Sequence, residues 1–179
     1  AHHLKADNSS IYVRKRATET NVKTLPLNNS KVIMFATHGL ISGKLFGLAE
    51  PALVLTPPKT GTPKDDGLLT ASEIAQLSLN ADWVILSACN TASADGTGGQ
   101  GLSGLAKAFF YAGARALLVS HWKVDDKATI KLTTTLFDIL STTPGISKAK
   151  AHQQAMMQLA NTTAFAHPAY WAPFVIVGE

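Results

Sequence analysis

Short apolar runs alternate with amphipathic stretches along this chain, and this alternation limits the available folds more than any other feature. Residues 32–36 are a continuous apolar run and residues 83–88 are apolar except for Ser87, as expected for strands buried on both faces. Further strands are predicted over 52–55, 116–120 and 174–177. Helical patterns separate most of these strands. The pattern predicts a doubly wound α/β fold with a mostly parallel sheet and helices on both faces.

Capping residues mark where the predicted helices begin. Thr70 and Glu73 have the spacing of a capping box, in which the threonine hydroxyl accepts from the amide three residues on and the glutamate reaches back. This pair predicts a helix that ends near residue 79. Other helices are predicted behind Thr18, over 102–112 and 125–140, and behind Ser147. A proline- and glycine-rich stretch, 56–67, is predicted to be a loop.

Positive charge is concentrated at one end of the chain. The formal net charge is +4, yet residues 1–31 carry six bases and two acids, whereas residues 32–179 carry ten of each. A nucleic-acid surface needs a basic stripe on the folded body, so we expect no nucleic-acid partner. Only 16% of residues are charged, which is below the usual share of about 25%. We therefore expect another domain or a partner to cover part of the surface.

The single cysteine, Cys89, excludes an intrachain disulfide and suits a reducing compartment, so we expect a cytoplasmic protein. No apolar run approaches the roughly 18 residues that span a bilayer, and no membrane partner is expected. Cys89, His152 and His167 lack zinc-ligand spacing, so neither a metal nor another cofactor is expected. The chain begins with Ala1 rather than Met, and we expect it to be part of a longer protein.

Reactive side chains follow two of the predicted strands. Run 32–36 continues into His38 and Gly39, and run 83–88 continues into Cys89. Neighbouring parallel strands lie about 4.8 Å apart and end at one sheet edge, so the imidazole and the thiol could reach a common bond. A thiolate attacks carbonyls, and the imidazole takes and returns the proton. The amides of Gly39 and Cys89 would then stabilise the oxyanion.

A simpler interpretation stays open on strand-end position alone. A lone cysteine is most often a small buried hydrophobe, and a lone histidine is most often a hydrogen-bonded residue without a catalytic role. Spacing therefore does not decide between a catalytic pair and two structural residues.

Five blocks of sequence occur in the order found in a known family. They are residues 35–39 (FATHG), 86–91 (LSACNT), 101–109 with 111–114 (GLSGLAKAF and YAGA), 119–126 (VSHWKVDD) and 167–174 (HPAYWAPF). With these blocks the chain resembles the CHAT domain, a caspase-like and separase-like domain often found behind tetratricopeptide repeats in bacteria. The resemblance covers nearly everything from residue 18 to residue 178.

The resemblance implies a caspase-type fold and a cysteine endopeptidase that cleaves a protein or peptide substrate through an acyl-enzyme. His38 and Cys89 match the family's dyad, which has no obligatory third residue. The resemblance also implies that residues 1–31 are the leading segment of a truncated amino side and that residues 32–179 are the catalytic core. A tetratricopeptide or other regulatory region, in the same chain or another, is expected to control it.

Relatives of the separase and metacaspase type tend to cut after Arg or Lys, with a pocket acid in a Trp-x-Val-x-Asp block. Trp122 and Asp126 match that block, and Asp125 lies beside the matching acid. A carboxylate there would hold a guanidinium bidentately. The alternative is that both acids only begin a helix, where the dipole favours them. Gln100 stands where many relatives carry Glu, which makes the predicted pocket less acidic.

Ser87 and Ser120 belong to the matching blocks and are expected to line the substrate cleft with Trp122. Two other functions stay open. One is a non-catalytic signalling scaffold that keeps the dyad residues. The other is a nucleotide-binding α/β module, suggested by G-x-G-x-x-G at 96–101. Seven residues separate that loop from its strand, and no suitable acid follows about twenty residues on, which disfavours this interpretation.

Overall fold

The fold is that of a computed structural model, which describes residues 6–43, 48–62, 64–87, 104–122 and 124–178. The chain forms two compact units. One consists of Ala1–Tyr12 and Val124–Ile176, and the other of Val13–Lys123 and Val177–Glu179. The division at residue 31 that the sequence predicted stays a prediction.

Seven strands and six α-helices occur in the described residues. The strands are β1 (Val32–Phe35), β2 (His38–Leu40), β3 (Ala52–Val54), β4 (Leu68–Thr70), β5 (Trp83–Leu86), β6 (Ala116–Ser120) and β7 (Phe174–Gly178). The helices are α1 (Glu19–Thr24), α2 (Ala71–Ala75), α3 (Gly104–Tyr111), α4 (Asp126–Thr142), α5 (Lys148–Ala160) and α6 (Pro168–Trp171).

The main sheet has the strand order β1-β5-β6-β7. β1 runs parallel to β5, with Val32 opposite Trp83 and Phe35 opposite Leu86, and β5 runs parallel to β6. Every residue of β5 and β6 is buried, and all but Ser120 are apolar, which explains the apolar runs in the sequence. β1 lies at the edge of this sheet in the described residues and is only partly buried, with Met34 44% exposed, so the burial on both faces predicted for run 32–36 is wrong. The predicted α/β fold, with a mostly parallel sheet flanked by helices, is confirmed.

Helices α2 and α3 connect the parallel strands and pack against each other. The predicted capping box is confirmed, since the Thr70 amide donates to Glu73 Oε2 at 2.9 Å while the Thr70 hydroxyl caps the Glu73 amide. The helix ends at Ala75, earlier than predicted. The chain beyond it turns toward the end of α3, where the Leu79 amide donates to the Ala112 carbonyl at 2.7 Å.

A second, three-stranded antiparallel sheet has the order β2-β3-β4. Its central strand is mostly buried, with Ala52 and Leu53 fully enclosed. The sequence predicted β3 but neither β2 nor β4. All three strands have only three residues, but those of β3 are all apolar, whereas β2 contains a histidine and a glycine and β4 ends in a threonine. This sheet carries His38 at the start of β2.

An ion network joins the leading segment to the smaller sheet and α2. The carboxylate of Glu19 is buried and accepts from the amides of Asp66 and Gly67 at 3.0 and 3.1 Å. Lys23 pairs with Glu19, and with Glu73 at 2.6 Å. Partial burial lowers the pKa of Lys23, but its hydrogen bonds to both carboxylates outweigh this and leave it raised. The network fixes α1 on the loop that precedes β4.

The other unit is built on α4, α5 and α6, which contact one another. Asp125 and Ser147 cap α4 and α5 by accepting from the amides of Ala128 and Lys150, so both predicted helix starts are confirmed. In the described part of the chain, no helix has the length and apolar character that a membrane span requires.

Candidate active site

The carboxyl ends of three parallel strands bring polar and aromatic residues to one edge of the main sheet. His38 follows the end of β1 by three residues, Ser87 directly follows β5, and His121 with Trp122 directly follows β6. Ligands of open α/β sheets bind at such an edge, which makes it the candidate site. The strand order places the β5 end between the other two.

His38 begins β2 and presents an exposed side chain. In the antiparallel pairing it lies opposite Val54, and Gly39 lies opposite the buried Leu53. The hydroxyl of Thr37 donates to the Val54 carbonyl oxygen, so the entry into β2 is held on β3 by a side-chain bond as well as by the strand pairing. Sequence reasoning missed this role of Thr37, because a threonine before a histidine carries no signal of its cross-strand partner.

Ser87 extends the pairing of β1 and β5 by one residue. Its amide donates to the carbonyl of Phe35 at 3.1 Å, and its side chain is half-buried. The ends of β1 and β5 are therefore adjacent, as the dyad hypothesis requires. Cys89 lies outside the described residues, as do Gln100 and the glycine loop 95–101, so the predicted dyad and the oxyanion role of the Gly39 and Cys89 amides stay predictions.

The end of β6 changes abruptly from buried to exposed. Ser120 is fully buried, whereas the Trp122 side chain is 40% exposed and stacks on the His121 ring with centroids 6.5 Å apart. The pair gives this end of the edge a solvent-facing aromatic surface. A planar or apolar substrate side chain could pack there. Substrate contacts of Ser87, Ser120 and Trp122 stay predictions.

Asp125 and Asp126 belong to the unit that contains α4. The helix-start interpretation is confirmed for Asp125, whose Oδ1 accepts from the Ala128 amide at 2.9 Å. Asp126 is exposed in the first turn of α4, where the helix dipole favours an acid. Its predicted role as the pocket acid for Arg or Lys stays a prediction.

Two further histidines have structural positions in the unit containing α4. His167 caps α6, its Nδ1 accepting from the Ala169 amide at 3.2 Å. His152 is buried in α5, and this burial lowers its pKa to about 4. Among the described residues, no three His, Cys, Asp or Glu side chains cluster in a way that could hold a metal ion.

The chain is similar in sequence to a known domain family and to two known proteins. The family model of the CHAT domain matches residues 1–179. Tetratricopeptide repeat protein 28 of Mus musculus is 29% identical over 201 residues, covering 93% of this chain, and its Homo sapiens counterpart is 29% identical over 187 residues, covering 86%. The chain spans only 8% and 7% of the lengths of these two relatives.

Proposed function

Since this chain belongs to the CHAT domain family, we propose that it is a cysteine endopeptidase with Cys89 as nucleophile and His38 as general acid and base. The observation that carries this proposal is the register of β1 and β5. Phe35 lies opposite Leu86, and in the sequence His38 stands three residues after Phe35 just as Cys89 stands three residues after Leu86. Both residues therefore follow neighbouring strand ends, about 4.8 Å apart, by the same number of residues, which supports their meeting in a dyad.

The proposed reaction is peptide hydrolysis in two stages. His38 takes the thiol proton, and the Cys89 sulfur bonds to the scissile carbonyl carbon while the amides of Gly39 and Cys89 hold the oxyanion. Collapse of this intermediate breaks the C–N bond, and the imidazolium gives its proton to the departing amine. Water then attacks the thioester with His38 as base, which releases the acid and restores the thiol.

Substrate choice and control are part of the proposal. Asp126, exposed in the first turn of α4, would pair with Arg or Lys before the scissile bond, and Trp122 would contact the substrate at the β6 end. The names of the two relatives support a tetratricopeptide region as the regulator or partner. A single free thiol is kept reduced in a reducing compartment, in keeping with the expected cytoplasmic location.

Turnover of fluorogenic peptides tests the activity. The 179-residue chain is incubated with peptides that differ only in Arg, Leu or Asp before the scissile bond, and we expect the Arg peptide to be cleaved fastest. Cys89→Ala and His38→Asn should each abolish turnover. His167→Asn is the matched control, since it replaces an exposed histidine with a residue that keeps an acceptor for the α6 cap.

Each failure of this assay has a separate meaning. Cleavage that survives Cys89→Ala would refute the dyad. Faster cleavage of the Leu or Asp peptide would leave the dyad and refute the Arg/Lys preference. No cleavage of any peptide, with or without a tetratricopeptide partner, would favour the non-catalytic scaffold.

A further inference from the structure

We propose that Thr37 is a positioning residue, whose hydroxyl fixes the backbone that presents the His38 imidazole. The proposal rests on the proposed function, since it assigns Thr37 a part in that reaction. Thr37 does not touch the substrate; it acts only through its neighbour. The bond concerned is the one from Thr37 Oγ1 to the Val54 carbonyl oxygen.

The acceptor of this bond belongs to the residue that pairs with His38, so the bond can fix the backbone position of His38. Val54 is the antiparallel partner of His38. The Thr37 hydroxyl therefore attaches the chain one residue before His38 to the same residue that pairs with His38. Thr37 is itself half-buried. A half-buried hydrogen bond of this kind is screened less by water than an exposed one.

The strand that supplies the acceptor is well anchored. β3 lies between β2 and β4, and its residues Ala52 and Leu53 are fully buried. Hydrogen bonding continues past its end, since the Leu55 amide donates to the Gly67 carbonyl and the Thr56 amide to the Ala17 carbonyl, both at 2.8 Å. The Val54 carbonyl oxygen therefore has a well-anchored position from which it can hold the chain at Thr37.

The element that carries His38 lacks such support of its own. β2 has only three residues and is an edge strand within the sheet that the structure describes, and the histidine is its first residue. Strand ends fray, and an exposed imidazole at such an end has little packing to hold it. Because misplacing a catalytic group by about 1 Å can cost on the order of 100-fold in rate, a second attachment at this point has a functional effect.

Three threonine variants test the proposal. Thr37→Val keeps the β-branched shape and removes the hydroxyl, and Thr37→Ser keeps the hydroxyl. Thr56→Val is the matched control: Thr56 is also half-buried and its hydroxyl donates to a backbone carbonyl, that of Arg14, at 2.6 Å, but it contacts no residue of β2 through that bond. Both valine variants should lose a similar amount of thermal stability.

Kinetics then separate positioning from stability. We expect Thr37→Val to lower kcat by about tenfold or more with KM changed by less than about twofold, Thr37→Ser to recover most of the loss, and Thr56→Val to keep the parent kcat. Equal kcat in Thr37→Val and the parent, or equal losses in both valine variants, would overturn the proposal.

A second measurement does not depend on peptide turnover. With ¹³Cε1-labelled histidine, NMR relaxation reports the order of the His38 ring, assigned by its loss in His38→Asn. The ring should be more mobile in Thr37→Val and unchanged in Thr56→Val. Unchanged ring order in Thr37→Val refutes the positioning role even if the chain cleaves nothing, whereas a loss of order without turnover would refute the proposed function alone.

Discussion

The burial of His152 predicts that the free energy of unfolding of this protein depends on pH. Its side chain is 7% exposed, and its Nε2 has no hydrogen-bond partner in the part of the chain that the structure describes. Burial disfavours the charged imidazolium and lowers the pKa from 6.5 to about 4. The folded protein therefore keeps this histidine neutral at pH values where the unfolded chain has already bound a proton.

The sign and size of the effect follow from linkage. The unfolded state binds more protons below pH 6.5, so the free energy of unfolding falls as pH drops and levels off below pH 4. The difference between the two pKa values corresponds to about 3 kcal/mol at the acid limit. By pH 5 the loss is already about 2 kcal/mol, a large part of a typical domain's stability.

Urea unfolding at pH 7.5 and pH 5.0 measures this loss. His152→Leu removes the titrating group at nearly constant volume, so its stability should change by about 2 kcal/mol less between the two pH values than that of the parent chain. His167→Asn, which replaces an exposed histidine, should keep the parent's pH dependence. If the parent and His152→Leu lost the same stability on acidification, the burial argument would be wrong.

Three further substitutions test packing: Gly113→Ala and Glu19→Gln in the unit that contains the main sheet, and Gly145→Ala, as a comparison, in the unit that contains α4. Gly113 has φ +107° and the Leu79 carbonyl oxygen lies 2.4 Å from where its Cβ would be, so Gly113→Ala should cost at least about 2 kcal/mol in chemical unfolding. Gly145→Ala, at φ +81° with open space around it, should cost only about 1 kcal/mol; equal losses would refute the steric argument. Glu19→Gln leaves Lys23 without its buried partner charge and should lower stability by about 2 to 3 kcal/mol, measured by thermal melts. A melting temperature equal to that of the parent would show that the Glu19 charge does not contribute to the stability of the folded state.

Much of the main sheet could be predicted because strands that are buried on both faces consist mainly of apolar residues, and the sequence shows these directly. β5 and β6 are continuous apolar runs, and each predicted helix start behind Thr18, Thr70, Asp125 and Ser147 has a side chain that accepts from the helix's own amides. Such signals are local. They depend only on residues that are close together in the sequence.

The features that escaped prediction depend on residues far apart in the sequence. Thr37 bonds to a carbonyl 17 residues on, and Glu19 accepts from amides 47 and 48 residues on. Glu19 and Lys23 pair within one helix, four residues apart, whereas the two amides reach Glu19 only through the fold. At the site, parallel pairing explains why the ends of β1 and β5 are adjacent, whereas the meeting of His38 and Cys89 stays a prediction.

Alkylation of Cys89 by iodoacetamide as a function of pH tests the dyad most directly, since the chain holds a single cysteine and the label reports on that thiol alone. If the His38 imidazole activates Cys89, the parent chain reacts rapidly near neutral pH with an inflection well below the usual thiol pKa of about 8.5, and His38→Asn moves the inflection back toward that value. Equal and slow labelling of both proteins at neutral pH, with the same inflection, would contradict the account.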